Sequence, residues 1–251
     1  MLACLNCKAT NEPDAIFCKQ CASPLGKKKR SKLLAVVIAL CALLTTGWLG
    51  LRVVMLGAYT MPAGSMMPTL LVGDHFYVNK LAREPVRGTM VAFKFPENPK
   101  QDFIKRVVAM PGDTVTVANG HLVIDGRPVD ECKLGEYSYI EEAVGAKHDS
   151  DLYVEFLGEE AYLTAYDKAM SGFPASQGPW QVKAGEFWVM GDNRNNSHDS
   201  RMWFGGEGGG VPDANVRGRV LGHGGRPALP ASAASLAPVL DACLEQHAAK
   251  K

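Results

Sequence analysis

The sequence has little net charge and no histidine with an evident catalytic partner. In 251 residues, 27 Lys and Arg balance 26 Asp and Glu, which leaves a formal charge of +1 at pH 7. So small an excess gives no sign of a polyanionic partner, and we expect no binding to nucleic acid. The six histidines lie mostly in polar, turn-like segments without an obvious carboxylate to orient them. A catalytic triad built on histidine is therefore disfavoured, with His198 in "GDNRNNSHDSR" as the one alternative base.

Charge is absent altogether from residues 33 to 51, "LLAVVIALCALLTTGWLGL". A run of this length is enough to cross the hydrocarbon layer of a membrane as a helix. A cleaved signal peptide is the alternative, but its apolar part is shorter and lies closer to the N-terminus. Five basic residues within 26–32 precede the run, so the positive-inside rule places the N-terminus in the cytoplasm. We predict a basic juxtamembrane segment at 27–32, a transmembrane helix at 33–55 and an extracytoplasmic remainder.

Cysteine pairs concentrate at the N-terminus, in "CLNCKATNEPDAIFCKQC". Each C-x-x-C pair can offer two thiolates to one tetrahedral ion. The segment is too small for a hydrophobic core, so a metal would have to fold it. Disulfides are disfavoured in a reducing cytoplasm, and iron is a lesser alternative to zinc. We predict a cytoplasmic structural zinc ribbon over residues 1–26, with the ligands Cys4, Cys7, Cys18 and Cys21.

The rest of the chain, from residue 57 to 225, is rich in short segments typical of strands. They contain β-branched and aromatic residues and are separated by Gly, Pro and Asp turns. The dipeptide Asn119-Gly120 between two alternating runs predicts a β-hairpin. Residues 131–177 are more acidic and have a mixed periodicity, so we interpret them as an insertion between strands. The tail at 226–251 contains an amphipathic helical pattern, and both a short helix and a frayed end remain open. The sequence thus predicts a mainly β protein.

Ser65 lies in "MPAGSMMPTL", among residues that do not favour a helix, shortly after the apolar run. A serine hydroxyl becomes a nucleophile only when a partner takes its proton. Lys105 is a candidate partner, because in "FIKRVVAMPGD" apolar residues flank it. In a strand it points to the same side as Phe103 and Val107, where burial would lower its pKa. By periodicity alone, a lysine that reaches solvent from an edge strand is the commoner outcome, so both interpretations remain open.

Three segments, "MPAGSMMPTL", "FIKRVVAMPGD" and "GDNRNNSHDSR", follow a single anchor in this order. Together they resemble the sequence boxes of bacterial type I signal peptidases (leader peptidases), over residues 57 to about 222. The resemblance implies an antiparallel β-sheet catalytic domain of the signal-peptidase type, anchored in the inner membrane. It also implies a Ser-Lys dyad without a catalytic cofactor, with Ser65 as nucleophile and Lys105 as general base. Ser197 would hydrogen-bond the lysine, and Asp199 and Arg201 would brace the site.

The family implies an endopeptidase that removes N-terminal signal peptides from exported preproteins. The substrate would bind extended beside a strand, with small residues at positions −1 and −3 of the cleavage site. Met66, next to Ser65, is a candidate wall of the −1 pocket. Membrane lipid and an unknown cytoplasmic partner of the ribbon are the other expected partners. Ala63 departs from the family pattern, which often has a serine there whose hydroxyl contributes to the oxyanion hole.

Two other functions remain open. One is a specialised Ser-Lys processing peptidase of a conjugation or secretion system, which would differ mainly in its substrate. A self-cleaving repressor is disfavoured, since the sequence has a predicted membrane span and no pair of helices for binding DNA. The other is an inactive membrane module that binds signal sequences, for which Ala63 is the best support. Cys132 and Cys243 both belong to the predicted extracytoplasmic part, and a disulfide and two free thiols are equally compatible with the sequence.

Overall fold

The chain forms two compact units, Met1–Arg52 and Val53–Lys251. A computed structural model describes residues 1–25, 32–141, 145–169, 174–222 and 225–250. The predicted basic segment at 27–32 lies outside the described residues except for Lys32, at which the helix of the first unit begins.

The first unit contains a small ribbon and most of one helix. Strands β1 (Leu2–Ala3) and β2 (Thr10–Asn11) of the ribbon pair antiparallel. Helix α1 (Lys32–Met55) is rich in leucine, which loses little side-chain entropy in a helix. Judged on the described residues alone, none of the helices combines the length and the hydropathy that a membrane span requires.

The second unit is built on a seven-stranded sheet in which the paired neighbours are antiparallel. In the centre of the sheet, successive side chains are buried on opposite faces. Val91 and Phe93 belong to one core cluster, and Met90 and Ala92 belong to another. Both faces are therefore covered, as the near-continuous apolar run of the central strand requires. The strand order is β15 (Val211–Pro212), β14 (Glu186–Met190), β6 (Asn98–Ala109), β5 (Met90–Phe95), β16 (Val216–Val220), β4 (His75–Asn79) and β3 (Leu56–Thr60).

A smaller four-stranded sheet contains the predicted hairpin. Its order is β13 (Gln177–Gln181), β7 (Thr114–Ala118), β8 (His121–Ile124) and β9 (Arg127–Pro128). Asn119 and Gly120 connect β7 to β8 with φ angles of 53° and 87°, the left-handed conformation that a two-residue hairpin turn of type I′ demands. The hairpin prediction is confirmed.

The segment interpreted as an insertion forms a sheet of its own, which we call the insertion sheet. Strands β10 (Asp130–Glu141), β11 (Ala146–Leu157) and β12 (Glu160–Asp167) follow one another in an antiparallel meander. The tail forms helix α2 (Ala237–Ala248), whose Leu240 is buried in the core of this sheet. A disulfide joins Cys132 of β10 to Cys243 of α2. The architecture of the second unit is therefore mainly antiparallel β, as the sequence predicted.

Candidate active site

Ser65 lies in a 3₁₀ turn between β3 and β4, which we call the Ser65 turn (Gly64–Met66). The turn begins after Ala63, whose backbone is extended. Ser65 is at its second position, where a backbone N–H has no intrahelical carbonyl to bond. Met66 is fully buried in the core below with Leu70. The turn therefore sets Ser65 on a packed base and leaves its N–H group unclaimed by the turn itself.

Strand β6 brings Lys105 to this turn. The Nζ atom of Lys105 lies 2.5 Å from Oγ of Ser65, and the residue is only 4% exposed. Burial lowers the pKa of Lys105 from 10.5 to about 8, although the carboxylates of Asp199 and Asp192 act in the opposite direction. Lys105 is thus not a solvated edge lysine. About one tenth of its amine is therefore already neutral at pH 7, and only the neutral amine can accept a proton.

Arg106, the next residue, points to the other side of the strand and anchors it. Its Nε and Nη2 atoms donate to the two carboxylate oxygens of Asp192, at 2.8 and 2.5 Å. Its Nη1 atom donates to the carbonyl of Gly88 at 2.7 Å, and the hydroxyl of Thr69 donates to Asp192. The arginine and the aspartate are both buried. This bidentate pair ties β6 to the loop that carries the third predicted box, which we call the 191–201 loop.

Asp199 and Arg201 form a second buried pair within the 191–201 loop. Nε and Nη2 of Arg201 each donate to one carboxylate oxygen of Asp199 at 2.8 Å. The N–H of Gly191 donates to the same carboxylate at 2.9 Å. Burial raises the pKa of Asp199, but the charge and hydrogen bonds of Arg201 outweigh it and lower the pKa overall. The pair fixes the shape of the loop and is not a solvated surface ion pair.

Ser197 lies on the same loop, close to the Ser65 turn. The resemblance implied a hydrogen bond from Ser197 to Lys105, but its buried Oγ has no hydrogen-bond partner among the described residues. The Oγ lies instead against Gly191, where an added Cβ would come within 2.2 Å of it. The same Cβ would lie 2.4 Å from the carbonyl oxygen of Ser65. Only glycine fits where the loop passes these two groups.

Asn193 holds the Ser65 turn from behind, a role that the sequence did not reveal. Its N–H donates to the carbonyl of Ser65 at 3.1 Å. Its Nδ2 atom donates to the carbonyl of Gly64 at 3.0 Å, across a separation of 129 residues. Asparagine after Gly-Asp indicates only a turn. A contact over so long a separation has no signal in a single sequence.

A cleft of about 300 Å³ opens beside Ser65. Residues 61–65 line one side of it and residues 102–105 of β6 line the other. Strand β14 pairs with β6 only from Arg106 to Ala109. Residues 102–105 consequently have a partner strand on the β5 side alone, within the part of the chain that the structure describes. The cleft therefore exposes the hydrogen-bonding edge of a strand next to the Ser65–Lys105 pair.

Two predicted residues occupy other places than the sequence suggested. Met66 does not line this cleft, because its side chain turns into the core below the Ser65 turn. His198 borders the cleft but packs edge-on against the rings of Phe95 and Phe103. It is Lys105 that contacts the Ser65 hydroxyl, so the alternative of His198 as the base has no support.

The four N-terminal cysteines form a cluster in the ribbon. Their Sγ atoms all lie within 4.8 Å of one another. Four thiolates around a zinc ion, with Zn–S bonds of about 2.3 Å, are about 3.8 Å apart. The Sγ atoms of Cys7 and Cys18 are 3.4 Å apart, and those of Cys4 and Cys21 are 3.6 Å apart. The cluster therefore fits one tetrahedral metal ion.

Comparison with known proteins gives one family. A family model described as "Signal peptidase, peptidase S26" matches residues 30–222. The signal peptidase I of Pseudomonas aeruginosa is 36% identical over 195 residues, which cover 68% of this chain and 65% of the relative. That of Aquifex aeolicus is 34% identical, with coverage of 65% and 73%. The chain thus spans about 65% of the length of the Pseudomonas protein. A solved signal peptidase I from Enterococcus faecalis is 28% identical and aligns over 55% of this chain and 97% of its own, with a TM-score of 0.32.

Proposed function

Because the chain belongs to the family of signal peptidases, peptidase S26, we propose that it is a membrane-anchored serine endopeptidase that removes signal peptides from exported preproteins. The observation that carries this proposal is the 2.5 Å approach of Lys105 Nζ to Ser65 Oγ in a buried setting. A buried amine with a lowered pKa beside a serine hydroxyl is the arrangement that a Ser-Lys dyad requires.

In the proposed reaction, neutral Lys105 accepts the proton of Ser65 as the hydroxyl oxygen attacks the scissile carbonyl. The protonated lysine then donates this proton to the leaving amine, and the new N-terminus of the mature protein departs. An ester on Ser65 remains. The lysine, neutral again, takes a proton from water as the water attacks the ester. The lysine then returns this proton to the departing Ser65 oxygen, which releases the signal peptide and restores the serine and the neutral amine. The first transfer takes place over the 2.5 Å between Ser65 Oγ and Lys105 Nζ, and the later ones need the leaving amine and the water within hydrogen-bond reach of the same Nζ atom.

The oxyanion formed in this reaction needs hydrogen-bond donors. The backbone N–H of Ser65 is suitably free, because the turn does not use it. Ala63, which ends the extended segment before the turn, offers a methyl group where the family often has a hydroxyl. Loss of one donor from an oxyanion hole costs about 10²–10³ in rate. We therefore propose that the enzyme works with a weakened oxyanion hole, and that Ala63→Ser accelerates it.

The substrate is proposed to bind as an added strand in the cleft beside Ser65. The edge of β6 at residues 102–105 supplies unpaired main-chain groups, and residues 61–65 form the facing wall. Strand addition gives affinity through the backbone, and it fits a substrate class whose members share little sequence. The edge ends at Lys105, which supports the proposal that the scissile bond of a bound peptide lies next to the dyad.

The proposed topology agrees with the two kinds of cysteine site. The second unit contains the Cys132–Cys243 disulfide, which is typical of an oxidising compartment outside the cytoplasm. The ribbon contains four unpaired cysteines placed for a metal ion, which is typical of the reducing cytoplasm. Helix α1, with its uncharged run at 33–51, is the proposed membrane anchor between them. The ribbon is proposed to bind structural zinc and a cytoplasmic partner, and α1 to contact membrane lipid.

The test is cleavage of a preprotein with small residues at −1 and −3, in detergent micelles, with the cut located by mass spectrometry. The full chain is compared with Ser65→Ala, Lys105→Ala and Ala63→Ser. We expect cleavage after the −1 residue, its loss in the first two variants, and a rate at least about tenfold higher in the third.

The outcomes separate the alternatives. Cleavage that persists in Ser65→Ala would refute the assignment of the nucleophile. An inactive native protein that becomes active as Ala63→Ser would identify a binding module with a defective oxyanion hole. No cleavage by any of the four proteins would exclude a general signal peptidase and leave two alternatives, the specialised processing peptidase and the inactive module that binds signal sequences.

A further inference from the structure

The insertion sheet reaches the active site through Tyr139 of β10. This tyrosine is 7% exposed and belongs to the same buried cluster as Met67, which directly follows the Ser65 turn. Its ring stacks on His148 of β11, with the centroids 4.8 Å apart and the planes inclined by 10°. Nδ1 of His148 in turn lies 2.5 Å from a carboxylate oxygen of Asp167 on β12. All three strands of the sheet therefore fix the position of the tyrosine.

The hydroxyl of Tyr139 meets the side chain that holds the Ser65 turn. The Nδ2 atom of Asn193 donates one hydrogen to the carbonyl of Gly64 and the other to Oη of Tyr139, at 3.0 and 2.9 Å. A carbonyl oxygen can only accept, so the nitrogen of the amide must face Gly64. Both N–H groups of the amide are then used, and the plane of the amide is determined.

The backbone of Asn193 adds a second bond to the Ser65 turn, since its N–H donates to the carbonyl of Ser65 at 3.1 Å. Its neighbours are fixed on the insertion sheet as well. The N–H of Ala165 in β12 donates to the carbonyl of Asp192, and that of Arg194 donates to the carbonyl of Ala165, both at 2.9 Å. The insertion sheet is therefore the platform on which the 191–201 loop holds the Ser65 turn.

We propose that Tyr139 is a positioning residue for Ser65, acting through Asn193. The proposal rests on the proposed peptidase function for its kinetic consequence, but its structural part stands by itself. Without the tyrosine oxygen, one N–H of a buried amide has no partner, and the amide is free to turn away from Gly64. The Ser65 turn then loses part of its support, and Oγ moves relative to Lys105. A displacement of about 1 Å in a catalytic group is enough to cost up to about 10² in rate.

The test is Tyr139→Phe, with Tyr137→Phe as the matched control. Tyr137 lies on the same face of β10, is equally buried and stacks on Tyr139 at 5.7 Å. Each change removes one hydroxyl from the same cluster, but only that of Tyr139 contacts Asn193. We expect kcat for preprotein cleavage to fall about tenfold in Tyr139→Phe with KM within about twofold, and both to stay within about twofold in the control. On an Asn193→Ala background, Tyr139→Phe should have almost no further effect.

A second readout does not depend on peptidase activity. Hydrogen exchange at the N–H of Asn193, which reports its bond to Ser65, should be about tenfold faster in Tyr139→Phe than in the native chain or in Tyr137→Phe. Equal kcat values and equal exchange rates in the two tyrosine variants would overturn the proposal. If the native protein cleaves nothing, the proposed function fails, and the exchange experiment still decides the role of Tyr139.

Discussion

Replacing Lys105 by methionine should stabilise the folded protein at neutral pH. The lysine has a pKa of about 8 in the folded state against 10.5 ordinarily, chiefly because it is buried. Below pH 8 the lysine is protonated in both the folded and the unfolded chain, and the folded state bears the full cost of a buried ammonium. A pKa difference of about 2.5, at about 1.4 kcal/mol for each pH unit, corresponds to about 3 kcal/mol. Losing the hydrogen bond to Ser65 offsets about 1 kcal/mol of this, so we expect a net gain of about 2 kcal/mol.

The sign of the pH dependence follows from proton linkage. Between pH 8 and 10.5 the folded lysine is neutral while the unfolded lysine still binds a proton. The stability of the native protein therefore rises with pH in this window, by about 1.4 kcal/mol for each pH unit, and the advantage of Lys105→Met disappears near about pH 9.5. The assay is urea unfolding of the full chain at pH 7 and at pH 9.5, followed by tryptophan fluorescence.

The matched control is Lys100→Met, on the same strand at an exposed position. It should change the free energy of unfolding by less than about 0.5 kcal/mol at either pH. Two results would refute the idea that burying this ammonium destabilises the fold. One is a Lys105→Met protein that is less stable than the native protein at pH 7. The other is a difference in the free energy of unfolding that is the same at pH 7 and at pH 9.5.

The same ionisation should govern the proposed reaction, because only the neutral amine of Lys105 accepts a proton. With a pKa of about 8, about one molecule in ten carries the neutral amine at pH 7, against about one in 3,000 for an ordinary lysine. We expect the rate of cleavage under kcat/KM conditions to rise with pH and level off above about pH 8. A rate that is flat from pH 6 to 9 would contradict the role of Lys105 as base.

Three further changes test the supports of the site. Gly191→Ala should lower kcat for preprotein cleavage by at least about 10², because the new Cβ would clash with Ser197 and with the carbonyl of Ser65. A folded variant with near-native kcat would contradict this prediction. Replacing Cys132 and Cys243 together by serine removes a disulfide that links residues 111 positions apart. The free energy of unfolding in urea should fall by about 2–4 kcal/mol, and an unchanged unfolding midpoint would contradict this prediction. One zinc ion per chain should be released by a chelator together with loss of the ribbon fold, as measured by metal analysis and NMR; a metal-free ribbon that keeps its fold would contradict a structural metal.

The sequence predicted best what depends on neighbours along the chain. Asn119-Gly120 determines a hairpin by itself, since both residues readily adopt a positive φ. Strand alternation placed Lys105 on the same side as Phe103. Alternation sets the side to which a residue points, but it does not set its depth. The depth comes from the Ser65 turn, which packs over the lysine from a distant part of the chain. A buried lysine and an edge lysine therefore have the same local sequence.

The insertion at 131–177 is a part of the chain whose strands the local sequence did not predict. Its strands contain buried charged and polar residues, such as Glu155, His148 and Asp167, so that the alternation of apolar and polar residues is broken. Glu155 is inside because Arg194 of the 191–201 loop donates to it at 2.6 Å, and Tyr162 donates to it at 3.0 Å. A charged residue in a sequence is normally assigned to the surface, and only the partner across the fold reverses that assignment.

This difference explains why the sequence pointed to the two residues of the proposed dyad and missed Asn193 and Tyr139, which hold the Ser65 turn. Ser65 and Lys105 carry chemistry that few other residue types supply, so their identity and order are informative. Asn193 and Tyr139 act through a hydrogen bond at 2.9 Å between segments that are remote in sequence, and many asparagines and tyrosines make no such bond. If the insertion sheet serves as the platform for the Ser65 turn, a substitution in its strands alters the proposed reaction while the dyad itself stays unchanged. Variants of β10 that keep the cluster packed but displace the Tyr139 hydroxyl should then lose kcat without losing stability, which a purely structural insertion would not allow.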